Sequence, residues 1–254
     1  VSAIGNIYYG TNSSWVGGLV GEFNSEYNDQ AISKCYTEGT ISCSRSATST
    51  QYGSGIGGIV GWIGNYEDRK YVKIQNSYSA MDVIGNDCVG GLVGLAFYRT
   101  RIINTYAIGQ VKAAGAQGGL VGGLEGDTCS VTNSYWVKET TTQNEGVAGT
   151  AKSVSALTKQ ESYSSWDFAN TWTIEEGTSL AYLQGRSVPD KIQSLIKDYP
   201  VMGGLGTQAS PFIITDAEQL RKVKQDLASY YKLGADVDLS AISNWEPIGT
   251  EEEP

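Results

Sequence analysis

The chain has 254 residues and a net charge of −9; it carries 32 Gly, 16 Tyr and 6 Trp but no His. Without His, neither Ser-His-Asp nor Cys-His catalysis can be assembled within the chain, and His-ligated zinc is excluded. Gly stands well above its usual share of about 7%, yet only 5 Pro and no three-residue period exclude collagen, and 40% hydrophobic residues exclude a disordered chain.

The charge is local. Residues 201–254 hold 4 Lys/Arg against 9 Asp/Glu, so more than half of the net charge lies there. No run of Lys or Arg exists, which argues against nucleic acid and against anionic membrane surfaces as partners. No apolar stretch reaches the roughly 18 residues of a membrane span. The chain starts at Val1, and a processed, excised or trimmed origin is expected.

One five-residue phrase occurs four times: Gly17-Gly18-Leu19-Val20-Gly21, Gly57-Gly58-Ile59-Val60-Gly61, Gly90-Gly91-Leu92-Val93-Gly94 and Gly118-Gly119-Leu120-Val121-Gly122. Their starts are 40, 33 and 28 residues apart. A second phrase follows each and ends in Tyr: Ile32 to Tyr36, Ile74 to Tyr78, Ile102 to Tyr106 and Val131 to Tyr135. Extra length falls in the Ser- and Thr-rich stretch 42–55, as loops behave, leaving a basic unit near 28 residues. Ala3-Ile4-Gly5-Asn6-Ile7 matches Ala107-Ile108-Gly109-Gln110-Val111, so the chain begins partway through a unit.

Reading down the units gives columns. They are Ile32, Ile74, Ile102, Val131; then Lys34, Asn76, Asn104, Asn133; then Tyr36, Tyr78, Tyr106, Tyr135; then Ile41, Val83, Val111, with Thr140 a polar departure. Period-two alternation puts the Ile, Asn and Tyr columns inward, with Cys35, Ser77, Thr105 and Ser134 outward. The predicted fold is mainly β: a parallel β-helix of about 28-residue coils over 1–142, with like residues stacked about 4.8 Å apart. The Asn column is expected to satisfy itself from coil to coil, with Lys34 marking a looser end. The Gly pairs offer φ > 0 at a corner or close backbone approach. A leucine-rich repeat lacks its pattern here, and a propeller blade needs about 40–45 residues.

The Gly-Gly-Leu-Val-Gly phrase, with Ile-x-Asn-x-Tyr and Gly-x-Val after it, resembles the GLUG-motif repeats across residues 1–140. Such repeats occur in large bacterial surface proteins, including adhesin-like proteins and non-catalytic parts of IgA-specific metallopeptidases. The resemblance implies a β-helix and an extracellular, cell-surface setting.

Residues 143–200 lose the repeat. A short helix over 153–161 and large aromatic residues (Trp166, Phe168, Trp172, Tyr182) predict a cap that plugs the last coil. The segment also looks like the tail that closes GLUG blocks. Residues 201–254 predict a strand at Pro211–Ile214, a capping box from Thr215 to Glu218, and an amphipathic helix near 216–229 with Leu220, Val223 and Leu227 on one face. Strand-prone segments follow at 230–239 and 245–249. This order resembles the segment that opens a GLUG-type β-helix, standing here at the C-terminus.

No cofactor, metal or catalytic residue is predicted. Asp236 and Asp238 lack EF-hand spacing; Glu175, Glu176 and Glu251 to Glu253 read as solvated charge; the Gly phrases lack a P-loop Lys. The four Cys (Cys35, Cys43, Cys88, Cys129) read as small buried residues, with Cys35–Cys43 the one local bridge the spacing allows. No acid pair is placed for glycoside chemistry. The leading expectation is a non-catalytic adhesion module that presents the loops 42–55 and 64–71. Head-to-tail assembly through 201–254 is a further expectation. The rival is carbohydrate binding or processing by Tyr8, Tyr9, Trp15, Tyr52, Trp62 and Tyr66.

Overall fold

The computed structural model describes residues 1–9, 15–24, 30–43, 54–65, 70–141, 146–199 and 201–248, without the side chains of Tyr9 and Cys43. Two compact units emerge. One comprises Val1–Lys152, Tyr163–Trp172 and Leu183–Gly185; the other comprises Ser153–Ser162, Thr173–Tyr182 and Arg186–Pro254.

The first unit is built from parallel strands in three sheets. Each sequence unit gives one strand to each sheet in turn. The strands just before the Gly pair are Trp15–Gly17, Gly55–Gly57, Val89–Gly90 and Gln117–Gly118. Those just after it are Val20–Asn24, Val60–Gly64, Val93–Ala96 and Val121–Leu124. The Tyr-containing phrases form the long sheet, whose main strands in spatial order are Ser2–Tyr9, Tyr36–Cys43, Val72–Gly85, Thr100–Ala107 and Tyr135–Val137, with Ser2–Tyr9 at one end.

The register places like on like. Tyr36 pairs with Tyr78, Tyr78 with Tyr106, and Tyr106 with Tyr135. Ile7 pairs with Ile41, Ile41 with Val83, and Val83 with Val111. Ala3 to Ile7 therefore falls where its match to Ala107 to Val111 predicts. The sheet also runs past residue 142, because Thr150–Lys152 pairs with Tyr135–Val137. Thr140, the polar departure, lies in the short helix Lys138–Thr141 instead of a strand.

The expected facing of two columns is reversed, for one backbone reason. Lys34, Asn76, Asn104 and Asn133 all adopt positive φ, between 47° and 53°. A left-handed residue resets the alternation of a strand, so residues after it change face. Ile74 and Ile102 lie in the core, but Tyr78 and Tyr106 do not continue that face. Instead Thr37 and Trp136, one residue after their Tyr, point inward: Thr37 Oγ1 donates to Gly58 O at 2.7 Å, and Trp136 joins the core.

The column read as outward is buried. Ser77 Oγ accepts from Cys35 N–H at 3.1 Å and donates to Gln75 O at 2.9 Å. Ser134 Oγ accepts from Thr105 N–H at 3.2 Å and donates to Thr132 O at 2.8 Å. These hydroxyls satisfy backbone groups that the left-handed residue removes from the ladder. The Asn column makes one rung, Asn104 Nδ2 to Asn76 Oδ1 at 3.4 Å. Its main cause is backbone conformation, which Asn tolerates better than most residues.

The Gly pairs act by close approach. None of the phrase glycines has positive φ. A Cβ on the first Gly of each phrase would strike the carbonyl of the Val three residues on, as at Gly57 against Val60 O. A Cβ on the second would strike the next unit's carbonyl, as at Gly58 against Gly91 O and Gly91 against Gly119 O. A Cβ on the last would meet the sheet before the corner, as at Gly94 against Ile56 N. The two short sheets thus pack backbone to backbone.

The core ends on Trp136, which stands where Ala107 stands one strand earlier. Gly119 and Gly146 lie against its ring. Two of the aromatic residues expected to plug this end, Trp166 and Trp172, lie on the outer face of the long sheet instead. Trp166 and Trp172 pack on the Tyr column, with ring centroids 6.0 Å from Tyr106 and Tyr78 respectively. Trp166 Nε1 donates to Asn133 O at 2.9 Å. Turned outward, the Tyr column needs an apolar cover, and this segment supplies it.

In the second unit, Ser153 caps the helix Val154–Leu157 by accepting from Ala156 N. A helix not anticipated from the sequence, Asp190–Asp198, buries Ile192 and Leu195. Phe212–Ile214 pairs in parallel with Tyr231–Leu233. The helix expected near 216–229 is shorter, Ala217–Lys222 followed by a 3-10 turn at Val223–Gln225. Its N-cap is Asp216, not Thr215: Asp216 Oδ1 accepts from Gln219 N, and Gln219 Oε1 accepts from Thr215 N. The capping box is thus shifted by one residue. Val223 is buried with Met202, Phe212 and Ile214, whereas Leu227 lies beyond the helix and is 63% exposed.

Two substitutions test the backbone account. Asn104→Ala should lose about 1–2 kcal/mol in urea unfolding, the cost of a left-handed L-residue, while Asn104→Gly should lose less. Because both variants remove the side-chain rung, equal losses for Gly and Ala would show that the rung, and not the backbone conformation, carries the position. Gly91→Ala should lose roughly 1–3 kcal/mol by overpacking.

Candidate functional site

Three features of the described surface bear on function: an aromatic row, the cysteines, and the groove beside the first strand of the long sheet.

The aromatic row runs Trp15, Trp62, Phe97, Tyr98, with successive ring centroids 6.0, 5.8 and 4.7 Å apart. It begins on the two short sheets, whose corner brings Trp15 and Trp62 together. Trp62, expected to be exposed, is only 4% accessible. The rings are tilted by 47° and 33° at Trp62, so no flat platform is offered to a sugar ring. Trp15 is half-buried, while Tyr98 and Tyr8 are exposed. Tyr52, Tyr66 and the Tyr9 side chain lie outside the described residues, as do most of the loops 42–55 and 64–71.

Cys35, Cys88 and Cys129 are free thiols. The allowed bridge from Cys35 is therefore not made; its side chain is buried in the core and its thiol donates to Ser33 O at 3.2 Å. The Cys43 side chain lies outside the described residues. Cys88 has its pKa pushed up to about 11, first by burial and then by Asp87 and Glu125. Cys129 is also raised, chiefly by burial. Both thiols are therefore held in the weakly nucleophilic form.

The carboxylates read as solvated charge make local bonds. Asp238 accepts from Ser240 N–H at 2.8 Å, which lowers its pKa. Glu176 accepts from Gln160 N–H, and Glu175 accepts from the Tyr182 hydroxyl at 3.2 Å. Glu251 to Glu253 lie outside the described residues. Among the described residues, no group of three or more Cys, Asp or Glu gathers as metal ligands. Nor is any helix there long and apolar enough to cross a membrane.

Ser2–Tyr9 ends the strand order of the long sheet among the described residues. Its eight residues carry no charge and no Pro. Ile4 is 67% exposed and Tyr8 is 75% exposed. Val1 turns its carbonyl inward to Tyr36 N. Alternation therefore aims the backbone polar groups of Ser2, Ile4, Asn6 and Tyr8 away from the strand Tyr36–Cys43. A groove of about 230 Å³ runs along this strand, with Ala3, Ile7, Gly18 and Met81 in its wall. The groove depends on how Gly18 and Met81 meet, which recurrence along the sequence does not show.

A side-chain device recurs along this part of the sheet. Asn6 Oδ1 accepts from Thr40 N–H at 3.0 Å, and Asp82 Oδ1 accepts from Gln110 N–H at 2.8 Å. In both cases a polar side chain reaches the N–H of the residue beside it in the following strand.

Comparison with known proteins gives one match. The chain is 35% identical over 118 residues to the "Putative Gly-rich membrane protein" of Evansella cellulosilytica, which covers 42% of this chain. The match spans only 13% of that protein's length. No family model matches the chain, and no solved structure matches it.

Trp62→Ala should lower stability by about 3–5 kcal/mol, the usual cost of emptying a buried aromatic site, whereas Tyr98→Ala should change it by about 0.5 kcal/mol or less. Urea unfolding of the two variants measures this. Iodoacetamide should alkylate native Cys88 more slowly than the urea-unfolded chain at mildly alkaline pH. Because the folded pKa lies above the unfolded 9.0, this group's contribution to stability is complete below 9.0 and is lost as pH rises through about 11.

Proposed function

We propose that the repeats wind as a parallel β-helix and that this chain is a non-catalytic, extracellular adhesion module of a bacterial surface protein. The observation that carries the reading is the register: the Tyr and Ile/Val columns pair like with like across successive units. Every strand in the three sheets of the first unit is parallel and every unit visits the sheets in the same order. The Gly phrases keep each layer thin, so that one unit adds one rung to each sheet. Such a body is stiff, since each rung is fixed by ladders on three sheets, and its loops are free to vary.

The resemblance to GLUG-motif repeats supports the surface setting. The matched relative is named as Gly-rich and as a membrane protein, which agrees with a repeat module held at a cell surface. Loops 42–55 and 64–71 are assigned to ligand presentation because length varies there while the rungs do not. The carbohydrate reading has less support, because Trp62 is enclosed and only the ends of its row reach solvent.

Inserting copies of residues 90–117, one complete unit, tests the winding. Three added copies should keep one cooperative unfolding transition and lengthen the particle in small-angle scattering by about 14 Å, at about 4.8 Å per rung. Loss of cooperativity, or an unchanged length, would exclude the winding. For adhesion, a chain in which residues 44–53 of loop 42–55 are replaced by a short Gly-Ser linker, leaving the strands Tyr36–Cys43 and Gly55–Gly57 intact, should fold normally yet lose binding to bacterial or host surfaces that the intact chain coats. Unchanged binding would remove that loop from the proposal.

A further inference from the structure

Four strands of the long sheet share an outer face ahead of their left-handed residues: Gln30–Ser33, Val72–Gly85, Thr100–Ala107 and Ser130–Thr132. Ile32, Ile74 and Ile102 lie in the core, so the residues on either side of each point outward. The register sets these in two rows. One is Ala31, Lys73, Arg101, Ser130; the other is Ser33, Gln75, Ile103, Thr132. Lys73 and Arg101 are the charged members of the two rows. Both are cations, and they stand side by side on adjacent strands about 4.8 Å apart.

The sequence shows no basic cluster, because these two residues lie one repeat apart. Like charges directly opposite each other destabilise a sheet. This sheet nonetheless sets two cations together, in a chain whose net charge is −9. The acidic residues that precede Ser130, Glu125 and Asp127, lie outside these strands. Arg101 is also placed in advance, since its guanidinium carbon lies 3.7 Å from the centre of the Tyr71 ring. Ala31, Ser130 and Thr132 are exposed around the half-buried pair, so two hydroxyl side chains lie on the surface next to Arg101 and Ile103.

We propose, on the reading of this chain as an adhesion module, that the face centred on Lys73 and Arg101 binds an acidic polysaccharide through its carboxylate or sulfate groups. A planar guanidinium and an ammonium side by side suit such anions. Serine and threonine hydroxyls beside them both donate to and accept from sugar hydroxyls. The main-chain groups of a sheet lie in its plane, so a ligand on this face meets side chains alone. Small Ala31, Ser33 and Ser130 form no pocket for a peptide side chain, which favours a polysaccharide over an acidic peptide. The contact uses charge on the long sheet and is separate from the aromatic row that begins on the two short sheets.

Isothermal titration of the full 254-residue chain with heparin, alginate, poly-glutamate and dextran tests this. Alginate carries carboxylates without sulfates, so its rank against heparin identifies the anion. One or both should bind, more weakly as salt rises, and dextran should not. Lys73→Gln and Arg101→Gln should each raise Kd about tenfold. Lys112→Gln makes the same charge change at an exposed position of the same sheet and should leave Kd unaltered. Far-UV circular dichroism and urea unfolding establish that the variants are folded; Lys73 and Arg101 are tested separately, so either folded variant suffices. Binding of neither acidic polysaccharide would overturn the proposal. So would binding of poly-glutamate alone, equal binding of dextran, or equal weakening by Lys112→Gln. A chain that coats surfaces yet binds neither polysaccharide would remove this ligand and leave the adhesion reading standing. Polysaccharide binding without attachment to any surface would remove the adhesion reading alone.

Discussion

The left-handed residue in each long strand governs the layout of the first unit. At Lys34, Asn76, Asn104 and Asn133 the backbone turns once into a region most side chains avoid. Before that residue, Ile74 and Ile102 face the core; after it, the next apolar ring faces out. Everything downstream follows from that change of face. Small hydroxyls enter the interior to hold backbone N–H groups, and a row of Tyr rings is left on the outside. A separate segment, Tyr163–Trp172, must then cover them. Ring pairs in that row and its cover are each worth about 0.5–1.5 kcal/mol beyond their buried area, so the cover is anchored by chemistry that the turn itself created.

The glycines impose the second constraint. With a Cβ at Gly57, Gly90 or Gly118, the corner carbonyl would be struck; with one at Gly61, Gly94 or Gly122, the two short sheets would part. The unit is therefore thin on that side and fuller on the side of the long sheet, where Ile, Leu and Val pack. This division explains why Gly is abundant while the core remains large: the glycines occupy one layer, and the apolar side chains fill the space beside it.

Much of this was legible in the sequence, and the failures have particular causes. The repeated phrases, the columns and the N-terminal register came directly from recurrence, because stacked units must carry like residues in like places. What recurrence does not show is φ. A period-two reading of Ile102, Asn104 and Tyr106 assumes an unbroken strand, and the single turn at Asn104 inverts it. The Gly pairs were open to two explanations, and only the neighbouring carbonyls distinguish them. Trp62 looked like a surface aromatic because nothing in its own segment shows that Trp15 and Phe97 lie on either side. The helix at Ala217–Lys222 was overextended because Leu227 kept the right spacing after the chain had already left the helix. The groove beside Ser2–Tyr9 was not readable, because it needs Gly18 and Met81, which are far apart in sequence.

The Tyr column has an optical consequence. Tyr78 stacks on Tyr36 and Tyr106 at 5.2 and 5.0 Å, with the rings inclined by 6° and 15°. Trp172 lies 6.0 Å from Tyr78 and 4.3 Å from Trp166. Tyrosine emission overlaps indole absorption, and transfer over such distances outruns fluorescence. Light absorbed anywhere along the column therefore drains to the indoles of the covering segment and leaves as tryptophan emission. The intact stack is dark in the tyrosine band, and lifting the cover brightens that band, so the molecule carries its own report of whether cover and column are together.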